Sequence, residues 1–466
     1  MTGLAFSPHG GPIVARNELS SRFAPRLGES DTFSRKIVSY QGNRNAPGLR
    51  WMKYKEGFSS QLVAGLIQEN RPSDVLDPFA GICTAPLVAA GQGINATGIE
   101  IMPVGISVGS SIAEAANGLS PVAFDRQSSA LLRNVRTARA AKGSAFPHVR
   151  ITEGAFSEKT ERQISAARAF LSHMDDGGLK SLLDLACMSV LEEASYTRKD
   201  GQYLRWDSRS NRKLRSSFDV GPISDFGEAL ERRLREIATD IPALKKSFGK
   251  GYPTLLNGSC LEVLRTVPDG AFDMVVTSPP YANRYDYTRT YALELAWMGF
   301  DQEEFSALRQ RMLSATVENR AKTESLDAIY GDGRETLDRA IRMYDEQGAV
   351  HEVLGILRDR RNELSNRNVL RLIEQYFLEM AITIAELGRI VRPGGSVFMV
   401  NDNVQYHGEE LPVDFILSDF AEGSGFRCDR IWKLARGKGN SSQQMARFGR
   451  RELRKCVYKW VRNNDR

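Results

Sequence analysis

The sequence predicts an α/β fold: a parallel sheet with helices on both faces, interrupted by a mostly helical inserted lobe. Three stretches carry that expectation. Residues 73–101, SDVLDPFAGICTAPLVAAGQGINATGIEI, run from an apolar strand through a glycine turn into a helix, a glycine stop and a second strand. That order is a βαβ unit and starts a parallel sheet. Strand pattern returns at TLLNGSCLEVL (254–264) and FDMVVTSPPY (272–281), and again at SVFMVND (396–402) after the helical run LIEQYFLEMAITIAELGRIV and its Arg392-Pro393-Gly394-Gly395 stop.

The elements follow in order. Residues 1–35, polar and rich in Ser, Gly, Pro and Arg, read as a loosely ordered N-terminal segment. Residues 36–110 read as the first part of the core. There KYKEGFSSQLVAGLIQ sets Phe58, Leu62, Leu66 and Ile67 at helical spacing, with Ser59 or Ser60 as N-cap. Residues 111–250 read mainly as helices and form the inserted lobe. Residues 251–466 read as the second part of the core, with a charged helical insertion at 300–370. They end in a helix near VDFILSDFAEGSGF, a final pair of strands near 427–434 and 453–461, and a basic C-terminal arm.

Composition narrows the class. At 466 residues, with 41% hydrophobic and 26% charged, the chain has the make-up of a soluble globular protein larger than one small domain. No apolar run approaches the ~18 residues of a membrane span. The start lacks a basic stretch followed by an apolar block, so no secretory signal is expected. Five scattered cysteines without a CxxC pair, and five dispersed histidines, argue against a zinc site or a disulfide framework and for the reducing cytoplasm. The net charge is only +6, yet residues 427–466 hold thirteen Lys/Arg against three Asp/Glu. Such an arm suits a phosphate backbone, and a solvated basic tail is the alternative.

Two loops carry chemistry. Asp77-Pro78-Phe79-Ala80-Gly81-Ile82-Cys83-Thr84 joins a strand to a helix. A glycine there lets the backbone approach a ligand, and the helix N-terminus offers free N–H groups. Glu100 ends the next strand, where an acid can accept hydrogen bonds from ribose hydroxyls. The GxGxxG of a dinucleotide site is absent. The second loop, Thr277-Ser278-Pro279-Pro280-Tyr281, follows an apolar strand. Two prolines fix two φ angles and remove two donors. The carbonyls of Ser278 and Pro279 can then accept from a substrate NH₂, while Tyr281 offers a ring on which a planar base stacks. A plain proline turn would explain neither Ser278 nor Tyr281.

With these two loops the chain, from about Lys53 to Val461, resembles the amino-methyltransferases of DNA, which carry a DPFxGxGT-type cofactor loop and a (D/N/S)PPY catalytic loop. The resemblance implies a Rossmann-like, seven-stranded sheet dependent on S-adenosylmethionine. Asp77, Phe79, Ala80, Gly81 and Thr84 would line the methionine end of the cofactor, Glu100 would hold the ribose, and Ser259 with Cys260 would lie near the adenine. Ser278, Pro279, Pro280 and Tyr281 would be catalytic. Two positions depart from the family: Cys83 stands where a second glycine is usual, and Ser259 where aspartate is common. Serine before Pro-Pro-Tyr, preceded by Thr277, is most like the enzymes specific for N4 of cytosine. A C5-cytosine enzyme would need a Pro-Cys nucleophile, and the chain has none.

The implied substrate is duplex DNA, methylated at a specific sequence in restriction–modification or phage defence, with a restriction endonuclease as a possible companion and neither membrane nor metal involved. Adenine-N6 or RNA base methylation, and a silent DNA-binding protein of the same fold, are the alternatives. For target recognition the inserted lobe offers Arg198, Lys199, Arg205, Arg209, Arg212 and Lys213 among Tyr196, Tyr203 and Trp206, a pattern that also fits a solvated basic loop with packed aromatics. The arm offers Arg436, Lys438, Arg447, Arg450 and Arg451 to phosphates.

Overall fold

The computed structural model describes residues 7–10, 13–30, 32–54, 57–138, 145–200, 203–210, 212, 218–331, 333–435 and 453–464. The strands are β1 (Leu27–Gly28), β2 (Asp74–Asp77), β3 (Asn95–Glu100), β4 (Thr197–Asp200), β5 (Tyr203–Trp206), β6 (Thr254–Asn257), β7 (Phe272–Thr277), β8 (Val391–Asp402), β9 (Val404–Tyr406), β10 (Glu409–Leu411), β11 (Phe426–Lys433) and β12 (Lys455–Arg462). Eight of them form one sheet in the order β1-β11-β12-β8-β7-β2-β3-β6. All neighbours run parallel except β12, which is antiparallel to both β11 and β8. This is the α/β, Rossmann-like sheet the sequence predicts, with the two-residue β1 added at one edge.

Alternate side chains of the central strands enter two different cores. Val75, Met274, Val276, Phe398 and Val400 face one, while Leu76, Val275, Val397 and Met399 face the other. Strands buried on both faces read as continuous apolar runs, which is why MVV and SVFMV were legible. Each such side chain, wholly removed from water, contributes about 1.5–3 kcal/mol. The helices Ser60–Asn70, Thr84–Gly91 and Pro103–Asn117 cover the first face. Ser59 caps the first of them by accepting from the Leu62 N–H. The inserted helices, among them Pro121–Arg136, Glu158–Ser172, Gly178–Ser189 and Phe226–Phe248, extend that same core instead of enclosing one of their own. The other face is covered by Glu335–Asp345, Gly348–Asp359, Val369–Ile390 and Val413–Gly423.

One region differs from expectation. The polar N-terminal segment holds a helix, Val14–Phe23, and then β1. Arg16 is fully buried, 2.6 Å from Glu352 and 2.8 Å from Glu409, and Phe23 stacks on Phe415. Its partners lie more than 300 residues away, so composition alone read the segment as loose. Helix Val369–Ile390, the helical run before Arg392, has 16 of its 22 residues buried. Its inward acids are matched instead of solvated: Glu379 pairs with Lys322, and Glu386 accepts from Tyr330 and Arg389.

Candidate active site

The loop after β2 is shaped by two left-handed residues, Gly81 at φ +55° and Cys83 at φ +62°. Left-handed backbone is disfavoured by about 1–2 kcal/mol for a residue with a Cβ, so a glycine at the second position would be the unstrained choice. Cys83 is accommodated by the helix packed on it. A Cβ on Gly109 would lie 2.6 Å from the Cys83 sulfur, and one on Gly105 would lie 2.2 Å from the Gly81 carbonyl. Helix Pro103–Asn117 therefore presents two glycines to the loop, and the buried thiol fills the space above Gly109.

Glu100 holds this loop from β3. Its carboxylate accepts from Gly81 N–H at 2.6 Å and Met102 N–H at 2.7 Å. Asp77, at the end of β2, accepts from Thr277 Oγ1 at 2.7 Å and Phe79 N–H at 3.1 Å through Oδ1, while its buried Oδ2 has no partner among the described residues. Burial pushes both carboxyls up to about 7, against the pull of these hydrogen bonds. Parallel pairing of β2 with β7 puts the two loops side by side, and the Asp77–Thr277 bond ties them together.

One cleft, about 720 Å³ when the space open to solvent is included, lies between them. Phe79, Ala80, Gly81, Thr84, Glu100, Ser259, Cys260, Ser278 and Pro280 all reach its wall. Asp77 is buried and not on the wall, which its chain neighbours Pro78 and Phe79 reach. Pro279 is buried, and Tyr281 is half-buried beside the wall. Ser278 Oγ donates to the Val400 carbonyl at 3.1 Å and lies 3.3 Å from the Tyr281 hydroxyl. That hydroxyl also accepts from Lys455 Nζ at 3.4 Å.

Several wall residues had no signature. Met312 and Leu313 come from the helical insertion, where a buried Lys322–Glu379 pair also binds the neighbouring Ser314 and Met312 carbonyl. Tyr54 comes from KYKEGF and stacks on Tyr291 at 4.9 Å. Lys455 is not on the wall but reaches Tyr281, and it belongs to a strand whose lysines looked like a phosphate-binding arm.

The lobe cations have mostly structural placements. Lys199 is 3% exposed, with its ammonium 2.5 Å from Glu294 and 4.3 Å from the centre of the Tyr291 ring, so it is not presented to DNA. A polar hairpin gave no hint of that buried partner on a distant helix. Arg198 donates to the Glu192, Ser195, Thr197 and Pro222 carbonyls. Arg209 is doubly bonded to Asp207, Arg205 lies over Phe218, and Arg212 lies over Trp206. Lys213, Arg436, Lys438, Arg447, Arg450 and Arg451 fall outside the described residues. Among the described residues no helix is long and apolar enough to cross a membrane, and no group of three or more His, Cys, Asp or Glu side chains could hold a metal.

No family model matches the chain, and no solved structure matches it. Curated relatives do. The chain is 38% identical over 488 residues to Type II methyltransferase M.BsoBI of Geobacillus stearothermophilus, spanning 96% of this chain and 92% of that one. It is 41% identical over 462 residues to Type II methyltransferase M.AvaI, both of Nostoc sp. and of Anabaena variabilis, spanning 95% of this chain and 92% of theirs. Similarity that runs end to end through both loops and the insertions between them leaves little of the chain to be anything else: it belongs to the type II methyltransferases, which work with S-adenosylmethionine.

Proposed function

We propose that the chain methylates the exocyclic N4 amino group of cytosine at a specific site in duplex DNA, as the modifying partner of a restriction system. The observation that carries this is one cavity wall shared by Gly81, Glu100 and Ser259 on one side and Ser278 and Pro280 on the other.

The residues present fit S-adenosylmethionine. An orphaned, buried carboxylate oxygen on Asp77 suits its ammonium end, and the lone pairs left on Glu100 suit ribose hydroxyls. Ser259 and Cys260 would flank the adenine, and Phe79, Ala80, Gly81 and Thr84 the methionine portion. When bound, the cofactor supplies an electrophilic methyl group on a sulfonium. The chain's own part is positional. Ser278 and the Pro279 carbonyl accept from the substrate NH₂, favouring a pyramidal nitrogen with an available lone pair, and Tyr281 replaces the stacking an extruded base gives up. No covalent intermediate with the protein is required.

Cytosine is favoured over adenine by Thr277-Ser278 before Pro-Pro-Tyr. Residues 111–250 serve target recognition in this reading, with Arg205 and Arg209 as its exposed cations, and Arg436, Lys438, Arg447 and Arg450 contact phosphates. Mass spectrometry of digested DNA from expressing cells tests the assignment. N4-methylcytosine should appear, and should disappear in Ser278→Ala and Tyr281→Ala. N6-methyladenine as the sole product refutes the cytosine assignment.

A further inference from the structure

Four polar groups stand in line behind the catalytic loop. Lys455 Nζ, on β12, is 3.4 Å from the Tyr281 hydroxyl and 3.4 Å from Asp402 Oδ1 at the end of β8. The Tyr281 hydroxyl is 3.3 Å from Ser278 Oγ, and Ser278 Oγ is 3.1 Å from the Val400 carbonyl. The ammonium lies 5.3 Å from the centre of the Tyr281 ring, nearer its hydroxyl end than its face. The Lys455 and Asp402 side chains are only 18% and 13% exposed.

The ends of this chain have fixed polarity. An ammonium can only donate and a carbonyl can only accept, whereas each hydroxyl has one hydrogen and can point either way. With Lys455 donating at one end and Val400 accepting at the other, Tyr281 gives its hydrogen to Ser278, and Ser278 gives its own to Val400. Ser278 then has one free lone pair and no free hydrogen for the cavity. Burial acts to discharge the lysine, but Tyr281 and Asp402 more than offset it, so the donor end stays charged.

We propose that Lys455 is a positioning residue for methyl transfer. Acting through the Tyr281 hydroxyl, it sets the direction of the hydrogen-bond chain, holding Ser278 as a pure acceptor for the substrate amino group and the Tyr281 ring in one orientation. The proposal rests on the reading that Ser278 and Tyr281 receive the target base. In their setting, serine does the accepting that a carboxylate would do, and the lysine removes the one freedom a hydroxyl has that a carboxylate lacks. Without that donor, Tyr281 can turn its hydrogen away, and the Ser278 hydrogen is released to swing toward the incoming base.

A double-mutant cycle on the full-length enzyme tests this. Single-turnover methyl transfer to DNA is measured for wild type, K455M, Y281F and K455M/Y281F, with S-adenosylmethionine affinity by calorimetry as the check on folding. K455M should slow transfer about tenfold, the scale of one misdirected hydrogen bond, at unchanged cofactor affinity, and K455R should recover most of the loss. In the Y281F background, which keeps the ring and lacks the hydroxyl, K455M should have no further effect. An undiminished loss in that background, or a wild-type rate for K455M, overturns the proposal. If K455M does not fold, K455A, which also lacks a donor, enters the same cycle with the same two outcomes. S278A at the wild-type rate would instead overturn the underlying reading, whereas an inactive S278A beside an additive cycle removes only Lys455.

Discussion

Asp77→Asn separates what the buried acid does for stability from what it does for the ligand. Asn keeps an oxygen for the Thr277 hydroxyl and the Phe79 N–H, and replaces only the orphaned Oδ2. Asp77 is 1% exposed and its carboxyl is pushed up to about 7, against about 3.9 in an unfolded chain. A folded value above the unfolded one means the folded protein keeps a proton the unfolded chain has released. The stability this provides is present below about pH 4 and is lost as the pH rises toward about 7. Across that window the cofactor-free wild type should lose about 1.4 kcal/mol per pH unit relative to D77N, on the order of 4 kcal/mol in all. Denaturant unfolding at about pH 5 and about pH 8 measures the gap, which should widen toward alkaline pH in favour of the variant. Calorimetry at about pH 8 should show D77N binding S-adenosylmethionine at least tenfold more weakly, the scale of one lost charged hydrogen bond. A gap that is constant, or that widens toward acid, would refute the burial argument. A cofactor affinity equal to wild type would refute the placement of Asp77 at the ligand.

Gly81→Val should reduce cofactor affinity about tenfold or more, because a β-branched residue at φ +55° is strained and its Cβ would lie 2.9 Å from the Tyr54 ring, which is itself stacked on Tyr291. Unchanged affinity by calorimetry in a folded variant counts against this site. Gly109→Ala should destabilise by about 1–3 kcal/mol through contact with Cys83, and most of that cost should vanish in a Cys83→Gly background. Equal unfolding shifts in both backgrounds would show that the thiol does not set the space.

Much of this protein could be read from the chain itself. The parallel strands announced themselves because burial on both faces demands continuous apolar runs. Both loops announced themselves because glycine, paired prolines and an acid at a strand end are local solutions to a local problem. Their meeting on one cavity followed from adjacency of β2 and β7, which the βαβ pattern, pairing β2 with β3, does not imply. The cation roles were not legible. Lys199 and Arg198 read as surface charges in a polar stretch, yet one is neutralised by Glu294 and the other is spent on four carbonyls. Arg16 sat in a segment whose letters looked loose, and Lys455 looked like part of a phosphate arm until β12 inserted between β11 and β8 and carried it to Tyr281. Whether a charge is solvated, paired or aimed at a reacting group depends on what lies within a few ångströms in space. For these residues the deciding partners come from elements up to hundreds of positions away, and only the tertiary fold brings them there.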